Sequence, residues 1–159
     1  MALGQLGTDT LERELVIYTH TRPDQSMVEV ENTRSVVTPE QVQQWCQAAG
    51  TKVTVRPVLD LAEERETDCY TPAPLLREQV IVRFKTCIFP FCERLSRRCD
   101  LDHRIPHPIG PTASWNLFPL CRSHHRAKTK GGWSYRPLNR TIIEWTSPLG
   151  YRYLRHIDA

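Results

Sequence analysis

Residues 99–130 read CDLDHRIPHPIGPTASWNLFPLCRSHHRAKTK, and the fold of the chain turns on this stretch. It opens on a short strand around Cys99–His103 and passes through a turn-rich run, PHPIGPTAS. A helix follows near Leu120–Thr129 and stops at Gly131–Gly132. Strand, irregular loop and helix form the unit that bears the chemistry. On it fall Asp102, His103, Asn116, His124 and His125.

Cys121 and His124 are three residues apart on the expected helix, so their side chains leave from nearly the same face. Upstream, the loop CIFPFC carries Cys87 and Cys92, a spacing at which a tight loop turns two thiols inward. Together the two pairs make a Cys3His tetrahedral set, the coordination that structural Zn²⁺ prefers. Four protein ligands leave no open position for water, so this metal stabilises the fold and does not catalyse. Its binding free energy substitutes for a core that a small module can hardly build alone. Cys99 lacks a paired spacing and reads as a core thiol; Cys46 and Cys69 read as plain hydrophobes. His20 and His156 have no partner at a useful spacing, and His107 sits in a Pro-rich turn, so none of the three is given a role. Trp115 and Trp133 read as core side chains, although either could stack on nucleic acid.

Working outward, the charge divides sharply. Residues 1–80 hold 7 Lys/Arg against 13 Asp/Glu, a net of −6; residues 81–159 hold 14 against 5, a net of +9. Three of the four Trp lie in the basic part, a combination that suits a polyanion-binding surface. The acidic part argues against nucleic acid covering the whole molecule. The sign change and Pro72 and Pro74 set an expected boundary near 68–74, giving an acidic α+β segment, 1–70, before a basic module, 71–159.

In the first segment, Leu15–Thr19 and Met27–Glu31 read as strands pairing across TRPDQS. Thr38, Pro39 and Gln41 spell a helix start with a capping box, running to about Ala49 and Gly50. Val53 and Val55 alternate as a further strand. In the second, a helix is expected over about Pro74–Phe84, with Leu75, Leu76, Val80 and Ile81 on one face. The tail, Thr141–Thr146 and Tyr151–Leu154 joined by SPLG, predicts a hairpin. No apolar run approaches the ~20 residues of a membrane span. The first ten residues, MALGQLGTDT, show no secretory signal, which makes the cytoplasm the expected location.

The runs CDLDHRIP, GPTASWNLFPLC and CRSHHRAK, read together, resemble the HNH endonucleases and their ββα-metal core. TKVTVRPVLDLAE, HHRAKTKGGW and EWTSPLGYRY extend the likeness to the C-terminal part of bacterial repeat-family HNH proteins, which carry a longer helical domain upstream. The expectation is therefore an α+β chain: a zinc-stabilised ββα-metal module behind the end of such a domain.

The resemblance implies a DNA endonuclease. Asp102 and His125 would hold one divalent ion, Mg²⁺, Mn²⁺ or another transition ion, and His103 would act as general base. Asn116 would orient His103 or organise the loop. Arg122, Arg126, Lys128 and Lys130 would contact phosphates. The implied partner is DNA, double-stranded, with a homodimer left open and no membrane. The competing expectation is a zinc-stabilised nucleic-acid-binding module without turnover. Regular strand geometry points Asp102 and His103 to opposite faces, so both reach one phosphate only if the strand ends early or twists before Pro106.

Overall fold

The basic half is organised by two strands that bracket a loop. In the computed structural model, which describes residues 19–20, 27–31, 33–48, 61 and 63–157, the chain falls into two compact units, Met1–Arg56 and Pro57–Ala159.

The first unit contains β1 (Thr19–His20), β2 (Val28–Val30), β3 (Ser35–Val37) and α1 (Pro39–Gln47). β1 pairs antiparallel with β2 and β2 with β3, and Val28 and Val30 turn to the buried side in strand alternation. β3 was not expected, and the strand read at Val53 and Val55 lies outside the described residues. Thr38 caps α1, its Oγ1 accepting from Gln41 N at 3.3 Å. The Gln41 side-chain amide donates through Nε2 to Gln44 Oε1 at 3.3 Å. Cys46 is exposed, not a buried hydrophobe.

The second unit begins with β4 (Glu66–Thr67) and α2 (Pro74–Phe84). It continues through a 3-10 turn at Ser96–Arg98 to β5 (Asp100–His103), β6 (Thr112–Ala113), β7 (Leu117–Leu120) and α3 (Arg122–Lys130). It closes with β8 (Ser134–Pro137), β9 (Ile142–Thr146) and β10 (Arg152–His156). The composition is mixed α and β. β5 pairs antiparallel with β7 in the register Asp100↔Leu120, Asp102↔Phe118 and His103↔Leu117. Pro119 hid β7 from the sequence reading; in a two-stranded ribbon both strands are edges, where proline is tolerated. α3 consequently starts at Arg122 and not at Leu120, with Cys121 extended at its N-cap.

α2 turns Leu76, Gln79, Val80, Ile81 and Phe84 inward, whereas Leu75, expected on that face, is 39% exposed. The i, i+4, i+8 row from Leu76 through Val80 to Phe84 sets the stripe, and Leu75 stands about 100° around the helix from it. The core joins α2 to Ile88, Leu117, Phe118, Leu120, Ile143 and Trp145, with Trp133 packed against it. Trp115, by contrast, is 39% exposed, with the Arg104 guanidinium 6.0 Å from its ring. The tail hairpin gains a third strand, order β10-β9-β8, and turns at Gly150, whose φ of +83° suits glycine.

The boundary by contacts lies earlier than the boundary by charge. Residues 61 and 63–70, acidic in composition, are bonded into the second unit. Glu66–Thr67 pairs with Thr112–Ala113, Gln79 Nε2 donates to Glu63 O at 2.8 Å, and Arg83 donates to Leu61 O at 2.6 Å and Ser114 O at 2.8 Å. Cys69 in this strap is exposed. Among the described residues no helix is long and apolar enough to cross a membrane.

Candidate metal and catalytic centre

Cys87, Cys92, Cys121 and His124 each present one ligand atom, and the four atoms lie within 4.8 Å of one another. His124 Nδ1 is 3.2 Å from Cys121 Sγ and 3.6 Å from Cys87 Sγ. For a tetrahedron with Zn–S bonds of about 2.3 Å the ligand–ligand edge is about 3.8 Å, so this cluster is the right size. The four residues could hold a metal ion. Phe89 stacks on the His124 ring at 3.8 Å, fixing its orientation, and the Cys121 amide donates to Cys87 Sγ at 3.3 Å. The knuckle is tied to the ribbon by Ile88 N donating to Pro119 O at 3.0 Å. It is tied to the sheet by Trp145 Nε1 donating to Ile88 O at 2.8 Å. A hydrogen bond with Cys99, together with burial, raises the Cys87 thiol pKa strongly, and burial pushes Cys92 up to about 11. Burial lowers His124. Without a metal these thiols keep their protons at neutral pH. Cys99 is buried beside the cluster but is not one of its four members, and its Sγ lies 3.4 Å from Leu95 O.

The second centre is built by strand alternation against one helix. Asp100 and Asp102 share a face of β5, and α3 lays His125 across both: Nδ1 lies 3.0 Å from Asp100 Oδ2 and Nε2 lies 3.2 Å from Asp102 Oδ1. Two consecutive histidines, about 100° apart around α3, thus face different places, His124 the knuckle and His125 the strand. Asp102 is 4% exposed, and its carboxylate accepts from Lys128 Nζ at 3.0 and 2.8 Å and from the Tyr135 hydroxyl at 2.8 Å. Burial and the neighbouring Asp102 raise the Tyr135 phenol well above its ordinary range, so it stays a donor. Burial pushes the Asp100 carboxyl up, but hydrogen bonds from His125 and Arg122 outweigh it and hold it below the usual range.

Asp100 and Tyr135 went unassigned in the sequence reading. For Asp100 the signal was present, since carboxylates at i and i+2 on a strand must share a face. For Tyr135, far away on β8, no local signal existed. Lys128, expected on phosphate, is placed instead on Asp102, with a further bond to His103 O at 2.8 Å. Arg122, Arg126 and Lys130 remain on the outer surface of α3, where they line a shallow depression with His125 and Thr129.

β5 ends at His103, before Pro106, and the side chains of Asp102 and His103 have different partners. The His103 ring turns to Thr112, Nε2 to Oγ1 at 2.7 Å, and stacks on Tyr70 at 5.3 Å. Burial first, and then the neighbouring His107, lower the His103 pKa, with Asp102 opposing the shift. His107, given no role from sequence, bonds the Asp68 carbonyl through Nε2 at 3.3 Å. Asn116 is fully buried and spends its amide on the loop: Oδ1 accepts from Ile105 N at 2.8 Å, and Nδ2 donates to Ile105 O at 3.0 Å and Pro111 O at 2.8 Å. Of the two roles expected for Asn116, organising the loop is the one its bonds serve, and Thr112 is the side chain on the His103 ring.

No protein-family model matches the chain, and no solved structure matches it. It is similar to uncharacterized protein Rv3776 of Mycobacterium tuberculosis strain H37Rv, 44% identical over 91 residues that make up 57% of this chain and 18% of that protein. It is also similar to uncharacterized protein Rv2100 of the same strain, 42% identical over 98 residues, 61% of this chain and 17% of that protein. The chain spans less than a fifth of the length of these curated relatives.

Proposed function

We propose that the 57–159 unit is an HNH-type, metal-dependent DNA endonuclease stabilised by Zn²⁺ at Cys87, Cys92, Cys121 and His124. The observation that carries the reading is the antiparallel ribbon and helix that bring Asp102 Oδ1 and His125 Nε2 to 3.2 Å, with His103 next along the same strand. A carboxylate oxygen and an imidazole nitrogen, both aimed at one point, suit a divalent ion such as Mg²⁺ or Mn²⁺. When bound, that ion supplies Lewis-acid stabilisation of charge on the scissile phosphate and the leaving 3′-oxygen.

The chain's own residues supply the rest. Asp100 takes the Nδ1 hydrogen of His125 and so keeps Nε2 bare toward Asp102, the usual way a carboxylate orients a ligand histidine. Tyr135 and Lys128 hold the Asp102 carboxylate in place. His103 accepts a proton from water at neutral pH, which burial favours by keeping the ring uncharged. Arg122, Arg126 and Lys130 steer the phosphate backbone. Phosphodiester hydrolysis then yields a 5′-phosphate and a 3′-hydroxyl.

One observation favours a second reading, a DNA-binding module without turnover: Lys128 already neutralises Asp102 as an ordinary buried ion pair would. Supercoiled plasmid incubated with Mg²⁺ or Mn²⁺ separates the two. The nuclease reading expects nicked or linear product, and a loss of about 100-fold or more in His103→Ala. Plasmid bound but left intact by the wild type selects the binding module. Equal cleavage by the wild type and the variant excludes His103 as the base.

A further inference from the structure

Thr112 is fully buried on β6, and its Oγ1 lies 2.7 Å from His103 Nε2 and 3.3 Å from the carbonyl oxygen of Tyr70. A hydroxyl has one hydrogen to give. The Tyr70 carbonyl can only accept, whereas a neutral imidazole nitrogen can donate or accept. If the Thr112 hydrogen goes to Tyr70, the Thr112 lone pairs are left to accept from His103 Nε2–H, and all three groups are served. The reverse arrangement takes that hydrogen away from the carbonyl.

Resting on the nuclease reading, we propose that Thr112, anchored by Tyr70, is a positioning residue that fixes His103 as the Nε2–H tautomer and leaves Nδ1 to take the proton from water. In that step a water O–H bond breaks and an N–H bond forms at Nδ1. The hydroxide attacks phosphorus, and the 3′-oxygen departs with the P–O electron pair and is protonated from solvent. His103 returns its proton to solvent.

The anchor comes from outside the ribbon and helix. β4 pairs Thr67 with Thr112, and Ser114 N donates to Arg65 O at 2.8 Å, so the strap sets the position of β6. Arg83 clamps both sides of that contact, through Ser114 O and Leu61 O. The Tyr70 ring lies over His103, tilted by 27°, and restrains it from the same segment. The strap therefore belongs to the active centre as well as to the fold.

The test uses the full chain, zinc-loaded and ¹⁵N-labelled at histidine, at a pH where imidazole is neutral. Long-range ¹H–¹⁵N spectra should show a pyrrole-type Nε2 and a pyridine-type Nδ1 at His103. In Thr112→Val the tautomers should redistribute and plasmid-cleavage kcat should fall about 10- to 100-fold, with KM and zinc content unchanged. Thr112→Ser should restore both readouts. A wild-type Nδ1–H form, or a Val variant with the wild-type tautomer, overturns the proposal. Failure of the wild type to cleave DNA overturns the nuclease reading and with it the proton transfer, while the spectra still decide the tautomer.

Discussion

Replacing Tyr135 with Phe removes one oxygen and leaves the ring packing intact. The ring sits 5.4 Å from Phe118 and 4.7 Å from Trp145, and the residue is 9% exposed, so no cavity opens. What goes is a 2.8 Å bond to a carboxylate that is itself 4% exposed. A buried hydrogen bond to a charged group contributes ~1.5–3 kcal/mol. Lys128 and His125 still face Asp102, which argues for the lower half of that range, about 2 kcal/mol. For a unit of this size that corresponds to a fall in melting temperature on the order of 10 °C. Near-ultraviolet circular dichroism of the zinc-loaded protein reads the transition. The same substitution made on an Asp102→Asn background should cost clearly less, because the charged acceptor is gone. An unchanged melting temperature for Tyr135→Phe, or equal costs on the two backgrounds, would refute the weight given to this bond.

Three further outcomes follow from the geometry. Zn²⁺ binding must displace the protons that Cys87 and Cys92 otherwise keep, so the calorimetric enthalpy should vary with buffer ionisation heat and report release of at least two protons. A buffer-independent enthalpy would contradict thiol coordination. Asp100→Ala should weaken Mn²⁺ binding about 10-fold while zinc content stays unchanged, since the bond that orients His125 is lost; unaltered Mn²⁺ affinity would remove Asp100 from the centre. Because His103 has a lowered pKa, its neutral form persists to more acid pH than an ordinary imidazole. The acid limb of kcat/KM at saturating metal should therefore have its midpoint below ~6.5, and a midpoint above that value would exclude His103 as the base.

What could be read from the sequence was whatever is local. The Cys/His pairs announce themselves because spacing along a loop and a helix fixes direction, and the four ligand atoms do converge. Helix α2 and the tail hairpin were legible from periodicity and turn residues. β7 was not, because Pro119 breaks the strand pattern. Nor was the strap, because its acidic composition groups it with the first segment while its bonds run to Gln79, Arg83 and β6. The same limit hid Tyr135 and Thr112. Each reaches the centre through tertiary placement on another strand, at a sequence separation of 33 residues from Asp102 in one case and 9 from His103 in the other. Trp115 was misjudged for the opposite reason: an aromatic reads as core unless its neighbours say otherwise, and here it lies beside an Arg on the surface.

Lys128 shows how the centre balances its charge. Asp100 and Asp102 carry two negative charges, and Arg122 and Lys128, bonded to them at 2.8–3.0 Å, carry two positive ones. Without a metal these four groups sum to zero, so the buried carboxylate of Asp102 does not stand without an opposite charge. On the nuclease reading a divalent ion leaves a surplus of two positive charges. A phosphodiester brings one negative charge, and the proton taken from water stays within the centre on His103, so one positive charge remains to face the charge that develops on the phosphate and the leaving 3′-oxygen. Positive charge that faces negative charge developing in the transition state favours that state over bound substrate. On that reading a lysine whose side chain is 20% exposed serves the centre by facing Asp102 and not the outer surface of α3. That placement also separates Lys128 in function from Arg126 and Lys130, whose removal should weaken DNA binding in a salt-dependent way while leaving the chemistry intact.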